Sequence, residues 1–258
     1  MAKERKALKK EPVPEKKKET PMEFIASMAV VLVVGLFIIT FNLQAFEIPS
    51  SSMENTLLIG DHVFVDRVTP APKTSWFPII PYRNLKRGDI MVFVSPSEPG
   101  LFVVKRVIGI PGDRIHLKDG VVYRNGVALQ EPYVIHIPGS YDAYRDNFPN
   151  VPPLDASNVT QEWRLTMGGH IENGDIVVPP DSYFGMGDNR DVSLDSRYWG
   201  FVPKENVVGR PMFIYWSFET PAGQYLKTSI GDRIEFVWTI VSHFFTETRW
   251  NRMFHLVK

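Results

Sequence analysis

Three serines, Ser50, Ser51 and Ser52, stand between a proline and the apolar turn "MENTLLIGD". A serine hydroxyl is a weak nucleophile that needs a base within hydrogen-bond reach and donors for the oxyanion. In an extended segment, period two puts Ser50 and Ser52 on one side and Ser51 on the other, so two hydroxyls can share one site. The same residues also suit a polar linker. Against a slack linker, Met53, Leu57 and Leu58 follow at once and require burial. Histidines at 62, 116, 136, 170, 243 and 255 show no partnering pattern, so a Ser-His-Asp triad is possible but has no positive support.

A different base is offered by "LFVVKRVIG". Strand alternation places Lys105 on the face of Leu101, Val103 and Val107, and Arg106 on the face of Val104 and Ile108. One of two adjacent cations must therefore point along an apolar face. A lysine there either snorkels at an edge or is desolvated, which lowers its pKa from about 10.4 and frees a neutral amine for general-base work. A third group of residues is "MGDNRDVSLDSRYWG", Met186 to Gly200. Asp191, Ser193 and Asp195 alternate as in a calcium loop, but the glycine at position six and the distal glutamate are missing. The structural reading is that Asp195 pairs with Arg197 to stiffen a tight loop, leaving Ser193 free to hydrogen-bond a neighbour.

The elements that must hold these groups can be read from composition. The chain has 258 residues, 44% hydrophobic, with no cysteine, so disulfides and thiolate metal sites are excluded. The formal net charge is zero, yet Met1 to Pro21 hold eight Lys/Arg against four Glu. From Phe24 to Phe46 there is no charge in 23 residues, enough to span about 35 Å as a helix and cross a bilayer. The long basic flank and the lack of a clean small-x-small site argue for an uncleaved anchor. The positive-inside rule then leaves the N-terminus in the cytoplasm.

Beyond the anchor, Gly-Asp recurs at 60, 88, 112, 174, 187 and 231, and the runs "HVFV", "IMVFV", "RIHL", "IVVP" and "RIEF" follow five of these pairs. Turns feeding strands, with no long amphipathic helix between them, predict an all-β fold. The polar, Pro/Gly/Asn-rich stretch 118–173 reads as an inserted hairpin or second subdomain. The resulting organisation is a basic tail (1–21), a transmembrane anchor (22–46), a catalytic β domain (47–117 with 174–258) and the insert. Ile234, Val237, Trp238, Val241 and Phe245 recur at helical spacing, either for a helix packed on the sheet or for one in a membrane interface. The loop Pro70–Pro81, with Trp76, Phe77, Ile79 and Ile80, either folds onto the core or makes a second membrane contact.

Four blocks in order, "IPSSSMENTLLIGD", "RGDIMVF", "VVKRVIGIPGD" and "GDNRDVSLDSRYWGFVP", resemble the bacterial type I signal peptidases, membrane-anchored Ser-Lys endopeptidases. With the anchor, the resemblance covers residues 24 to about 216. That family usually has glycine where Ser51 stands and proline where Asn55 stands. The resemblance implies Ser52 as nucleophile, Lys105 as general base, and Ser50 joining the Ser52 backbone N–H as oxyanion donors. It further implies Ser193 orienting the lysine amine and Asp195 with Arg197 supporting the site. It also implies an all-β catalytic core with a second β domain inserted, and no metal or organic cofactor. The expected partners are exported preproteins with small residues before the cut, and the lipid bilayer, with no nucleic acid. The expected location is the bacterial cytoplasmic (inner) membrane, single-pass, with the catalytic domain outside. Two other readings stand beside this one. A self-cleaving repressor of the same chemistry is disfavoured by the anchor and the lack of a DNA-binding module. A non-enzymatic, membrane-tethered β scaffold or adaptor has no reason to bring Ser52 and Lys105 together.

Overall fold

The computed structural model describes residues 20–70, 82–153, 158–221 and 223–258. The loop expected at Pro70–Pro81 lies, apart from Pro70, outside these residues. The chain divides into two units, Met1–Ile39 and Thr40–Lys258.

In the first unit, helix α1 spans Pro21–Phe37. Its start is written in the sequence. Thr20 Oγ1 accepts from the Glu23 N–H, Glu23 Oε2 accepts from the Thr20 N–H at 2.8 Å, and Pro21 takes the first helical position, where no N–H is needed. Pro21–Thr40 has a mean hydropathy of 2.6 with none of it buried, long and apolar enough to cross a membrane. The helix stops before the expected Phe46. A π-helical turn, Ile38–Asn42, leads into an extended segment.

The second unit is built on twelve strands: β1 Leu43–Glu47, β2 Asp61–Asp66, β3 Ile90–Val94, β4 Phe102–Gly109, β5 Arg114–Lys118, β6 Val121–Arg124, β7 Val127–Ala128, β8 Ile171–Glu172, β9 Asp175–Val177, β10 Ser182–Met186, β11 Val202–Pro203 and β12 Val207–Ser217. Three short helices, α2 Ala143–Asp146, α3 Gln161–Thr166 and α4 Ser196–Trp199, and the longer α5 Ile230–Glu247 join them. The fold is thus mostly β, as the turn-and-strand pattern implies. One sheet runs β1-β2-β12-β3-β4-β10-β11 and the other β7-β6-β5-β9-β8, with antiparallel pairings throughout. The smaller sheet begins at Arg114, and its β6, β7 and β8 come from the segment read as an insert.

Three of the five runs after Gly-Asp lie in strands and "IVVP" begins in one, and Gly60, Gly88, Gly112 and Gly174 before them all have positive φ. The fifth, "RIEF", is corrected: it lies in α5. Ser229 caps that helix through the Asp232 N–H, and the apolar residues that follow recur with a helical period, which outweighs the local strand propensity of four residues.

The core beneath the serines contains Ile48, Met53, Leu57, Val63, Val65, Ile90, Val92 and Ile214. Burial of Met53 and Leu57 fixes the turn that carries Ser50–Ser52. From behind, Asp61 holds the same turn. Its fully buried carboxylate accepts from Ser217 Oγ at 2.6 Å, Arg252 Nη2 at 2.5 Å and the Leu58 N–H at 2.8 Å. Arg249 and Arg252 also donate to the Ile59 and Thr56 carbonyls at 2.9 and 3.1 Å. Removing the carboxylate leaves two half-buried arginines without their counter-ion. Asp61→Ala is therefore expected to cost about 3 kcal/mol or more, measured by urea unfolding in detergent. A change below about 0.5 kcal/mol would show that this cluster does not hold the turn.

Candidate active site

Ser51–Met53 form one turn of 3-10 helix, with Ser50 extended just before it. Period two therefore does not describe the local backbone. The two outer hydroxyls nevertheless come together, Ser50 Oγ lying 3.4 Å from Ser52 Oγ. Asn55 has φ +83°, a conformation open to asparagine but closed to the proline that the resemblance leads one to expect there. Its side chain donates to the Tyr133 carbonyl at 3.3 Å, so this turn has its own means of support.

Lys105 lies in β4, opposite Met91 of β3, and is 3% exposed. Its Nζ is 2.7 Å from Ser52 Oγ. Burial pulls the Lys105 amine down from 10.5 to about 8; Asp195 and Asp188 pull it back up, and Arg197 pushes it further down. Asp195 and Arg197 have fully buried side chains and pair at 2.8 Å. Burial alone raises the Asp195 carboxyl, but the charge and hydrogen bonds of Arg197, the Lys105 charge and the Gly187 N–H hold it below the usual carboxylate range. The guanidinium is in turn raised by Asp195, against the effect of burial. Asp195 also caps α4 through the Arg197 N–H, so one carboxylate shapes the loop and sets the charge around it.

Ser193 is buried, and its Oγ has no hydrogen-bond partner among the described residues. The bond to Lys105 that the resemblance implies is thus not formed in this structure. Its approach depends on Gly187, where a Cβ would stand 2.3 Å from Ser193 Oγ and 2.5 Å from the Ser52 carbonyl oxygen. No histidine hydrogen-bonds Ser50, Ser51 or Ser52 among the described residues. His62 stacks on Trp216, His116 bonds Asp175 and His136 bonds Asp191.

Sequence reasoning assigned no role to Asp188. Its carboxylate receives Arg106 in a two-pronged pair, Nε at 2.8 Å and Nη2 at 2.7 Å, and Thr56 Oγ1 at 2.5 Å. The Tyr133 ring lies 3.8 Å from the guanidinium carbon. The next residue, Asn189, donates its N–H to the Ser52 carbonyl at 3.1 Å. Arg106 therefore balances its burial with Asp188, whereas the neighbouring Lys105 faces the serine hydroxyl. The signal for this pair was present in the adjacent Lys105-Arg106 cations, since a second buried cation demands an acid elsewhere.

The family model described as signal peptidase, peptidase S26, matches residues 21–216. This chain belongs to the signal peptidase family, peptidase S26. Among its relatives, a signal peptidase I of Pseudomonas aeruginosa is 34% identical over 219 residues, 78% of this chain and 74% of that protein. A probable signal peptidase I-2 of Synechocystis is 33% identical over 213 residues, 78% of each. A crystal structure of a signal peptidase I from Enterococcus faecalis V583 is 33% identical. It covers 50% of this chain and 97% of its own, with a TM-score of 0.33. Membership in the signal peptidase family does not favour the non-enzymatic scaffold.

The buried amine has a measurable signature. Its folded pKa of about 8 lies below the 10.5 of an ordinary lysine, so between these values the unfolded chain holds a proton that the folded protein lacks. Stability contributed through Lys105 must therefore rise with pH across that window. From pH 7 to 10, wild type is expected to gain about 2–3 kcal/mol relative to Lys105→Met, read by urea unfolding at each pH. Parallel curves would mean that the amine is not desolvated.

Proposed function

We propose that Ser52 and Lys105 are the nucleophile and general base of this signal peptidase, a serine endopeptidase that removes signal peptides. The observation that carries the reading is the 2.7 Å approach of Ser52 Oγ to a buried lysine amine. Neutral Lys105 accepts the Ser52 proton as Oγ bonds to the scissile carbonyl carbon. Ser50 Oγ and the Ser52 N–H donate to the oxyanion that forms. When the intermediate collapses, the C–N bond breaks and Lys105 returns the proton to the departing amine. Water then adds to the acyl-enzyme, its proton passing to Lys105 and on to Ser52 Oγ, which restores the hydroxyl. The Asp195–Arg197 pair acts on the lysine, not on the substrate, by setting its charge balance, and Ser193, whose Oγ makes no bond to the amine in this structure, orients it only once that bond forms.

The apolar N-terminal helix anchors the chain in a membrane. We place the basic tail in the cytoplasm and the catalytic domain, residues 47–117 and 174–258, on the outer side, with 118–173 as an inserted subdomain. Substrates are exported preproteins. A site that accepts many unrelated signal peptides reads size more than sequence, and small residues at the first and third positions before the cut are the expected requirement.

In detergent, Ser52→Ala and Lys105→Ala are each expected to lower preprotein cleavage by roughly 10³-fold or more, with circular dichroism unchanged. Wild-type turnover rises with pH as Lys105 loses its proton, with a midpoint near 8. Near wild-type turnover in Lys105→Ala would sink the dyad. A preprotein with phenylalanine immediately before the cut is expected to resist cleavage, and processing at the normal rate would refute the size selection.

A further inference from the structure

The polypeptide between β12 and Thr248 forms a projecting arm. An antiparallel bridge between Phe218 and Thr248, with the Glu219 N–H donating to the Glu247 carbonyl at 2.9 Å, closes its root. One side of α5 rests on that root, with the Phe236 ring 6.4 Å from Phe218 and the Phe244 ring 6.4 Å from Trp216. No residue of the helix is buried. With 3.6 residues per turn, Ile230, Ile234, Val237, Trp238, Val241 and Phe245 fall within an arc of about 100° beside the resting side. They are 78, 66, 58, 71, 65 and 81% exposed. Asp232, Glu235, Thr239, Ser242 and Thr246 fill the remaining polar arc. Scattered exposed apolar residues need no explanation, but six in one line with two large aromatics do.

We propose that this stripe lies flat in the headgroup region of the bilayer that the N-terminal helix crosses, making α5 a second membrane contact. The occupant follows from how the chain is connected. The apolar span ends at Thr40 and β1 opens at Leu43. Within the domain, the rise from Leu43 to the level of Phe218 and the two strand spacings from β1 through β2 to β12 put the root of the arm about 22 Å from the start of β1. The helix extends about 27 Å from there. A lipid surface is thus held at high effective concentration by the chain's own anchor, whereas a second copy must be recruited. A tryptophan beside an aliphatic stripe suits the membrane–water boundary. Charge narrows the chemistry further. The helix has one arginine, Arg233, against the three carboxylates Asp232, Glu235 and Glu247, so attraction to anionic headgroups is not what drives it. Apolar insertion into a zwitterionic surface is sufficient.

The absence of cysteine allows a direct test in the full chain. Single variants Val241→Cys and Phe245→Cys on the stripe, and Ser242→Cys on the polar arc, are labelled with an environment-sensitive fluorophore and reconstituted in phosphatidylcholine vesicles carrying nitroxide lipids. At 241 and 245 the label is expected to shift to the blue and be quenched several-fold more than at 242, with no change on adding phosphatidylglycerol or salt. Cleavage of a soluble peptide confirms that each variant is folded. Labels that are equally water-exposed at all three positions overturn the proposal, and so does equal lipid quenching at all three. Shielding at 241 without nitroxide quenching, lost on dilution into more lipid, identifies a second copy of the chain as the occupant and also overturns it.

Discussion

Lys105 carries its amine into the interior, where an ammonium ion loses its hydration. Burying such a charge costs several kcal/mol even after the surroundings relax, unless a counter-ion is in contact. Here the acids stand back. Asp195 is engaged by Arg197 and Asp188 by Arg106, so each acts on the lysine only through its field. The amine is left with the Ser52 hydroxyl as its contact, and its proton is held weakly enough to be exchanged near pH 8. Much of the surrounding architecture can be understood as keeping that balance. Replacing either arginine would release a carboxylate, which would recharge the lysine.

The middle of one β-strand, the end of another and two turns meet at this point. β4 supplies the adjacent cations, whose alternation sends them to opposite faces of the sheet. The segment after β10 supplies Gly187, Asp188 and Asn189, and the capping action of Asp195 brings the chain back for Arg197. The serine turn is fixed by its own apolar continuation, through Met53 and Leu57, and by Asp61 behind it. Buried side chains and ion pairs make most of these supporting contacts, which limits the freedom between Oγ and Nζ. Gly187 is the point of closest packing, where no side chain fits between Ser193 and the Ser52 carbonyl.

What could be read in the sequence was whatever depended on local period or on a long block of matching residues. Alternation along "LFVVKRVIG" was enough to send one of two adjacent cations along an apolar face, and the Gly-Asp turns marked four strands. The proximity of Ser50 and Ser52 was reached by an argument from extended backbone, although a single 3-10 turn produces it. The Arg106–Asp188 pair spans 82 positions and leaves no periodic trace. "RIEF" misled because four residues cannot distinguish a strand from the first turn of a helix. The two possibilities for the late amphipathic stretch differ only in what covers it, which no pattern within the segment encodes.

The ties to Asp61 also bear on when the serine turn can be braced. Arg252 reaches this carboxylate across 191 positions, and Arg249 reaches the Ile59 carbonyl across 190. Closing loops of that length is slow and comes late in folding. A chain emerging in order therefore presents the serine turn long before the arginines that brace it have been synthesised. The brace on the serine turn is thus completed only when nearly the whole domain has emerged, and a truncated or stalled product has the turn without the arginines behind it.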